Sequence, residues 1–202
     1  MHESQARPWG PSPAWNSTHF LTFGVGSGFE LTATLFNVEA PVTDRSSLAL
    51  GFKMFRPLFP EVLPETRLGI TFGMKAVISL FGQGIGHWVY AHLSGRLPVL
   101  RTRIAAGLSH ATSQLFKVDK LVFIGSLEQP LGTEKFNLVA EWFSGEHDLG
   151  NLIVGFTYHP SHTWIFVAGF KIPTSGPQFG ANKHAAVIEV GFFWDLAGHA
   201  VE

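Results

Sequence analysis

The stretch Arg67-Leu68-Gly69-Ile70-Thr71-Phe72-Gly73-Met74-Lys75-Ala76-Val77-Ile78-Ser79-Leu80-Phe81 decides the fold. Leu68, Ile70, Phe72, Met74, Ala76, Ile78 and Leu80 hold one parity, and Arg67, Gly69, Thr71, Gly73, Lys75 and Ser79 hold the other, broken only by Val77. Successive side chains of a strand point to opposite faces, so a period of two marks a strand and not a helix. The run from 67 to 81 is far longer than an ordinary strand of about five or six residues.

The same alternation returns along the chain. Trp164, Phe166, Ala168, Phe170 and Ile172 oppose Thr163, Gly169 and Lys171; Leu152, Val154, Phe156 and Tyr158 oppose Gly155, Thr157 and His159. The expected strands are 19–26, 28–38, 46–56, 66–81, 87–97, 100–114, 119–129, 135–144, 149–159, 162–172 and 183–194, with the pattern blurred at Leu121-Val122-Phe123-Ile124.

Composition narrows the class. Of 202 residues, 14 are Lys or Arg and 15 are Asp or Glu, a formal net charge of −1, so no overall charge draws the chain to nucleic acid. Charged residues make 14% of the chain, against roughly 25% in soluble domains. The 46% apolar content, with 19 Phe and 6 Trp, excludes disorder, because disordered chains are poor in aromatics. The absence of cysteine excludes a disulfide scaffold and a Cys-ligated metal site. A membrane helix needs about 20 apolar residues in a row. The uncharged stretches 76–95 and 149–170 are interrupted by Gly82-Gln83-Gly84-Ile85-Gly86 and by His159-Pro160-Ser161-His162. Each reads as two strands and a turn.

The character of the two faces separates the possible β folds. One face is Leu, Phe, Ile and Trp; the other is Gly, Ala, Thr and Ser with a few charges. Bulky apolar residues suit lipid and small polar ones suit a narrow hydrated interior, the pattern of a transmembrane β-barrel. The expected fold is all-β, a closed antiparallel up-and-down transmembrane barrel. A soluble sandwich or barrel binding an apolar ligand also alternates, but needs a charged outer face. Eleven strands conflict with the even numbers of bacterial barrels. Residues 1–18 are therefore expected to supply a twelfth strand or an extension into the lumen or periplasm. Twelve strands are expected, with ten as the alternative; Pro8, Pro11 and Pro13 make this segment a strand only at an edge or seam. Links 39–45, 115–118, 145–148 and 173–182 then point outward, while the long link Arg56–Glu65 falls among the tight turns.

The last strand, Ala186-Val187-Ile188-Glu189-Val190-Gly191-Phe192-Phe193-Trp194, is similar to the C-terminal signal read by barrel-assembly machinery. With Glu141-Trp142-Phe143-Ser144-Gly145 and Leu149-Gly150, it makes residues 19–194 resemble a small, porin-like bacterial outer-membrane β-barrel. The resemblance implies a bacterial outer-membrane location with outer-membrane lipids as partners. It also implies another membrane or envelope protein as a docking partner, and no nucleic acid. The implied function is a passive pore or a structural or docking component. Residues 195–202 follow the terminal aromatic as an extension, a departure from the pattern. Met1-His2-Glu3-Ser4-Gln5 has neither the basic nor the apolar part of a signal peptide, so a mature chain is expected.

By parity the inward charges are Glu30, Lys53, Arg67, Lys75, Arg101, Arg103, Glu141, Lys171 and Glu189. Six are basic and three acidic, a mildly basic lumen that would favour anions if open or form internal ion pairs if plugged. Trp88, Tyr90, Trp142, Tyr158, Trp164 and Trp194 lie near strand ends and are expected at the membrane interfaces. No catalytic residues, cofactor or metal are expected. His110 and Ser113 have opposite parity, and His159 and His162 lack an evident third ligand. An enzyme acting on lipids stays open as an alternative, requiring a Ser, a His and an acid to converge.

Overall fold

Every strand pairs with its neighbours in chain order, and the first pairs with the last. The computed structural model describes residues 1–7, 14–40, 46–116, 120–147, 149–174 and 184–193. Its strands are β1 (His2–Arg7), β2 (Ala14–Gly26), β3 (Phe29–Ala40), β4 (Ser47–Pro57), β5 (Gly69–Ser79) and β6 (Ile85–Arg96). They continue with β7 (Arg103–Ala111), β8 (Lys120–Leu131), β9 (Thr133–Phe143), β10 (Asn151–Tyr158), β11 (Trp164–Pro173) and β12 (Ala185–Phe192). All pairings are antiparallel and the sheet is a closed 12-strand barrel. A one-turn helix, α1 (Ser113–Phe116), lies between β7 and β8.

The first 18 residues supply the missing strand. β1 pairs with β12 from His2↔Val190 to Ala6↔Ala186 and with β2 from His2↔His19 to Arg7↔Ala14. β2 starts at Ala14 rather than at 19, because β1 gives those earlier residues a hydrogen-bonding partner. The three prolines between the two strands, Trp194 and residues 195–202 lie outside the described residues.

The tight turns at 27–28 and 132 lie at one end, here the turn end; β5 stops and β6 starts at the other, the helix end, where α1 sits. The link 58–68 stays at the turn end despite its length. It folds on itself through a 3₁₀ turn at Pro64–Thr66 and the bond Leu58 N–H to Leu68 C=O at 2.8 Å.

The faces separate as the alternation requires. On β5, Ile70, Phe72 and Met74 are exposed while Thr71, Lys75 and Val77 are buried. Leu21, Phe23, Leu108, Phe123, Phe156, Phe166, Phe170 and Ile188 continue the exposed apolar surface around the wall. Bending the sheet inward brings neighbouring backbones close on the concave side. A Cβ on Gly51 would lie 1.9 Å from the Met74 carbonyl oxygen, and one on Gly107 2.0 Å from that of Ala91. Glycine is the residue that permits this approach. Gly51→Val is expected to lower stability by about 1–3 kcal/mol, the usual cost of overpacking. Denaturant unfolding followed by tryptophan fluorescence would read it, with Ala76→Val on the outer face as the near-neutral comparison.

Candidate functional site: the barrel interior

Two breaks in the alternation turn out to be one feature. Val77 on β5 and Val122 on β8 point inward and are almost fully buried. They join Phe36, Ala49 and Ala111 from the strands and Leu115 and Phe116 from α1 in one apolar cluster, with Trp88, Ile124, Phe143 and Leu149 packed against it. α1 thus folds into the helix end of the bore against the β3–β9 wall. An eight-stranded barrel is filled by its own side chains, and wider ones open a channel. In this twelve-stranded barrel α1 lays Leu115 and Phe116 into the helix end of the bore.

His147, at 1% exposed, completes this plug. Its ring stacks on Phe116 at 4.1 Å between centroids. Nε2–H donates to the Ser144 carbonyl at 2.8 Å and Nδ1 accepts from Leu149 N–H at 3.2 Å. The second bond needs a bare Nδ1, so the imidazole is neutral. Burial pushes its pKa below the ordinary imidazole value, reinforced by the Lys120 ammonium and opposed by the bond to Ser144.

Below the plug the interior is polar and cross-linked. Lys75 donates from Nζ to Thr34 Oγ1 at 2.8 Å and stands 5.0 Å from the centre of the Trp88 ring. Trp88 Nε1–H donates to Ser109 Oγ at 2.7 Å. Asn137 bonds Thr157 at 3.1 Å, and Asn16 reaches both Asn37 and Glu39 at 3.1 Å. Lys53 pairs with Glu30 at 2.8 Å and Arg103 with Glu128 at 3.0 Å. Lys171 donates to Gln5, which in turn donates to Glu3.

Not every expected lumen residue lies there. Lys53, Lys75, Arg103, Lys171, Glu30, Glu141 and Glu189 hold the inward parity of their strands. Arg67 and Arg101 do not: both lie outside the strands with left-handed backbone, φ 45° and φ 56°. They line an open hollow at the turn end with Arg96 and Pro98. Strand parity does not apply to a residue in a turn. Glu3, opposite Glu189, and Glu128, paired with Arg103, are inward carboxylates that the sequence reading passed over. Glu3 sits in β1, expected only as a strand somewhere in residues 1–18 and so without an assigned face, and Glu128 in the segment with blurred alternation. Arg7, Arg96 and Lys120 share the inward parity of β1, β6 and β8, so they offset the two arginines removed and the two carboxylates added.

The aromatic set divides as well. Trp142, Tyr158 and Trp164 are exposed on the outer face, Trp142 toward the helix end and the other two at the turn end. Trp88 and Tyr90 point inward instead. The outer parity of β6 belongs to Ile85, Val89 and Leu93, so a position near a strand end did not fix the face. Tyr90 is accommodated by Gly73, where a Cβ would lie 2.2 Å from the ring. Trp194 is outside the described residues.

His110 and Ser113 lie on the outer parity of β7 and at the start of α1, respectively. Ser–His contacts do occur at Ser17–His19 and His2–Ser4, but the far nitrogen of each ring meets the other imidazole and not a carboxylate. Among the described residues no group of three His, Asp or Glu side chains could hold a metal ion. No family model, curated protein or solved structure matches the chain.

Two outcomes test the plug. Phe116→Ala should cost about 3–5 kcal/mol, the range for emptying a buried aromatic site, and should raise exchange of the amides around it. The second concerns pH. The folded chain holds His147 neutral while the unfolded chain takes up a proton near pH 6.5, so stability is full above that value and falls as pH drops below it. Amide protection factors in the link 144–150, which divide out the intrinsic pH dependence of exchange, should therefore fall as pH drops from about 7.5 to 5. His147→Gln should remove that step.

Proposed function

We propose that this chain is an outer-membrane β-barrel with a filled interior, serving as a structural or docking component and not as an open pore. The observation that supports it is the inversion of the barrel: an exposed wall of Leu, Phe and Ile around an interior of paired polar groups. Soluble monomers rarely expose contiguous apolar patches beyond a few hundred Å². Hydrocarbon tolerates only structures that pair all their backbone groups, and a closed sheet does so. Tyr158 and Trp164 at one end and Trp142 toward the other suit the two water–lipid boundaries. The internal cross-links and α1 favour the plugged form over free diffusion of solutes. A docking partner would meet the links at the helix end.

The face assignment is tested by a pair of substitutions. Phe166→Arg, on the outer wall, should cost about 2–4 kcal/mol for folding into lipid vesicles if its site lies near the midplane. Ser126→Arg, inward and opposite Glu141, should change stability by about 0.5 kcal/mol or less. Equal tolerance would reject the lipid-facing wall. In a planar bilayer the native chain should give no steady conductance. A stable, ion-selective channel would replace the plugged reading with that of a pore.

A further inference from the structure

The outer face of β1, and of the β2 segment paired with it, departs from most of the wall. Where other strands carry Leu, Phe or Ile, these two place His2 directly opposite His19 and Ser4 directly opposite Ser17. Read along the strands, His-x-Ser faces Ser-x-His. The two Nδ1 atoms approach to 3.2 Å, with ring centroids 4.6 Å apart. The far nitrogens are engaged by the serines: His2 Nε2 with Ser4 Oγ at 2.8 Å and His19 Nε2 with Ser17 Oγ at 3.2 Å. When each Nε2–H donates to its serine, both Nδ1 atoms carry bare lone pairs only 3.2 Å apart. Two such lone pairs repel unless a cation lies between them.

We propose that His2 and His19 form a chelating site for a divalent transition-metal ion of the zinc, copper or nickel class. Imidazole nitrogen suits these ions. With metal–nitrogen bonds of about 2.0–2.1 Å, two tetrahedral ligands lie about 3.3 Å apart, close to the 3.2 Å seen here. A hydrogen bond from the second ring nitrogen fixes the tautomer and orientation of a metal-binding histidine, and the serines are placed to accept it. The protein supplies two ligands, so water or an anionic group completes the coordination. A second pair, His87 Nε2 and His110 Nδ1 at 3.1 Å, stacks at 21° on another part of the wall and serves as the internal comparison.

The test uses the full chain without an affinity tag, folded in detergent micelles and titrated with Cu²⁺ near neutral pH. The site predicts one tight Cu²⁺ per barrel, with two imidazole nitrogens in its electron paramagnetic resonance spectrum and displacement by Zn²⁺. His19→Ala retains His2 and the chain's amino group, so a loss of affinity of about tenfold or more there isolates the pair. Ser4→Ala combined with Ser17→Ala should weaken binding by about 10- to 100-fold while leaving both ligands in place. His110→Ala should leave the tight site unchanged. The proposal fails if His19→Ala binds Cu²⁺ as the native chain does, if binding follows His110, or if no metal is taken up and the rings share only a proton. Both histidines lie on the surface of the strands, so folding is checked by the unchanged barrel signal in circular dichroism.

Discussion

Closure of the sheet by β1 is the constraint on which the rest depends. Its residues pair on one side with β12 and on the other with β2. Without it both neighbours would present a row of unpaired N–H and C=O groups. In water such an edge recruits other chains; in hydrocarbon each unsatisfied group costs several kcal/mol. Pairing every strand lets the wall be greasy outside, because no polar backbone faces outward. The same pairing fixes register, and register fixes which side chains share the bore. Glu3 meets Glu189, and Lys171 reaches Gln5, only because β1 sits between β12 and β2.

Closing twelve strands creates a second problem, the width of the bore. Glycines such as Gly51 and Gly107 let the concave face tighten, yet the wall alone does not fill the space. α1 turns Leu115 and Phe116 inward, and Val77, Val122 and Ile124 abandon small polar identity to meet them. His147 is part of the same filling, neutral and held at both ring nitrogens. Elsewhere cross-bonding takes the place of apolar contact. Lys75 is tied to Thr34 and faces Trp88, and Lys53–Glu30 and Arg103–Glu128 pair opposite charges on neighbouring strands. The barrel is thus apolar at its wall, polar within and apolar again at its plug.

Eleven strands were legible as long alternating runs, because a period of two is a local property of the chain. The twelfth was inferred only from the need for an even count, since His2–Arg7 has no alternation of large apolar residues to announce it. Most inward charges followed from parity in the same way. Arg67 and Arg101 did not, because a left-handed turn residue obeys no strand parity. Trp88 and Tyr90 were misplaced because nearness to a strand end says nothing about the face. The His2–His19 apposition was invisible for another reason: 17 residues separate the two, and only β-pairing makes them neighbours.

By itself, then, the amino-acid order determined the strand period, the identity of the greasy face and the closed all-β class, since each follows from side chains two positions apart along one segment. Tertiary structure alone decided which strand sealed the barrel, which aromatics turned inward, and that α1 and His147 pack together at one end. Those outcomes depend on register and on the space left when twelve strands meet, quantities that belong to the assembled sheet and to no single stretch of it.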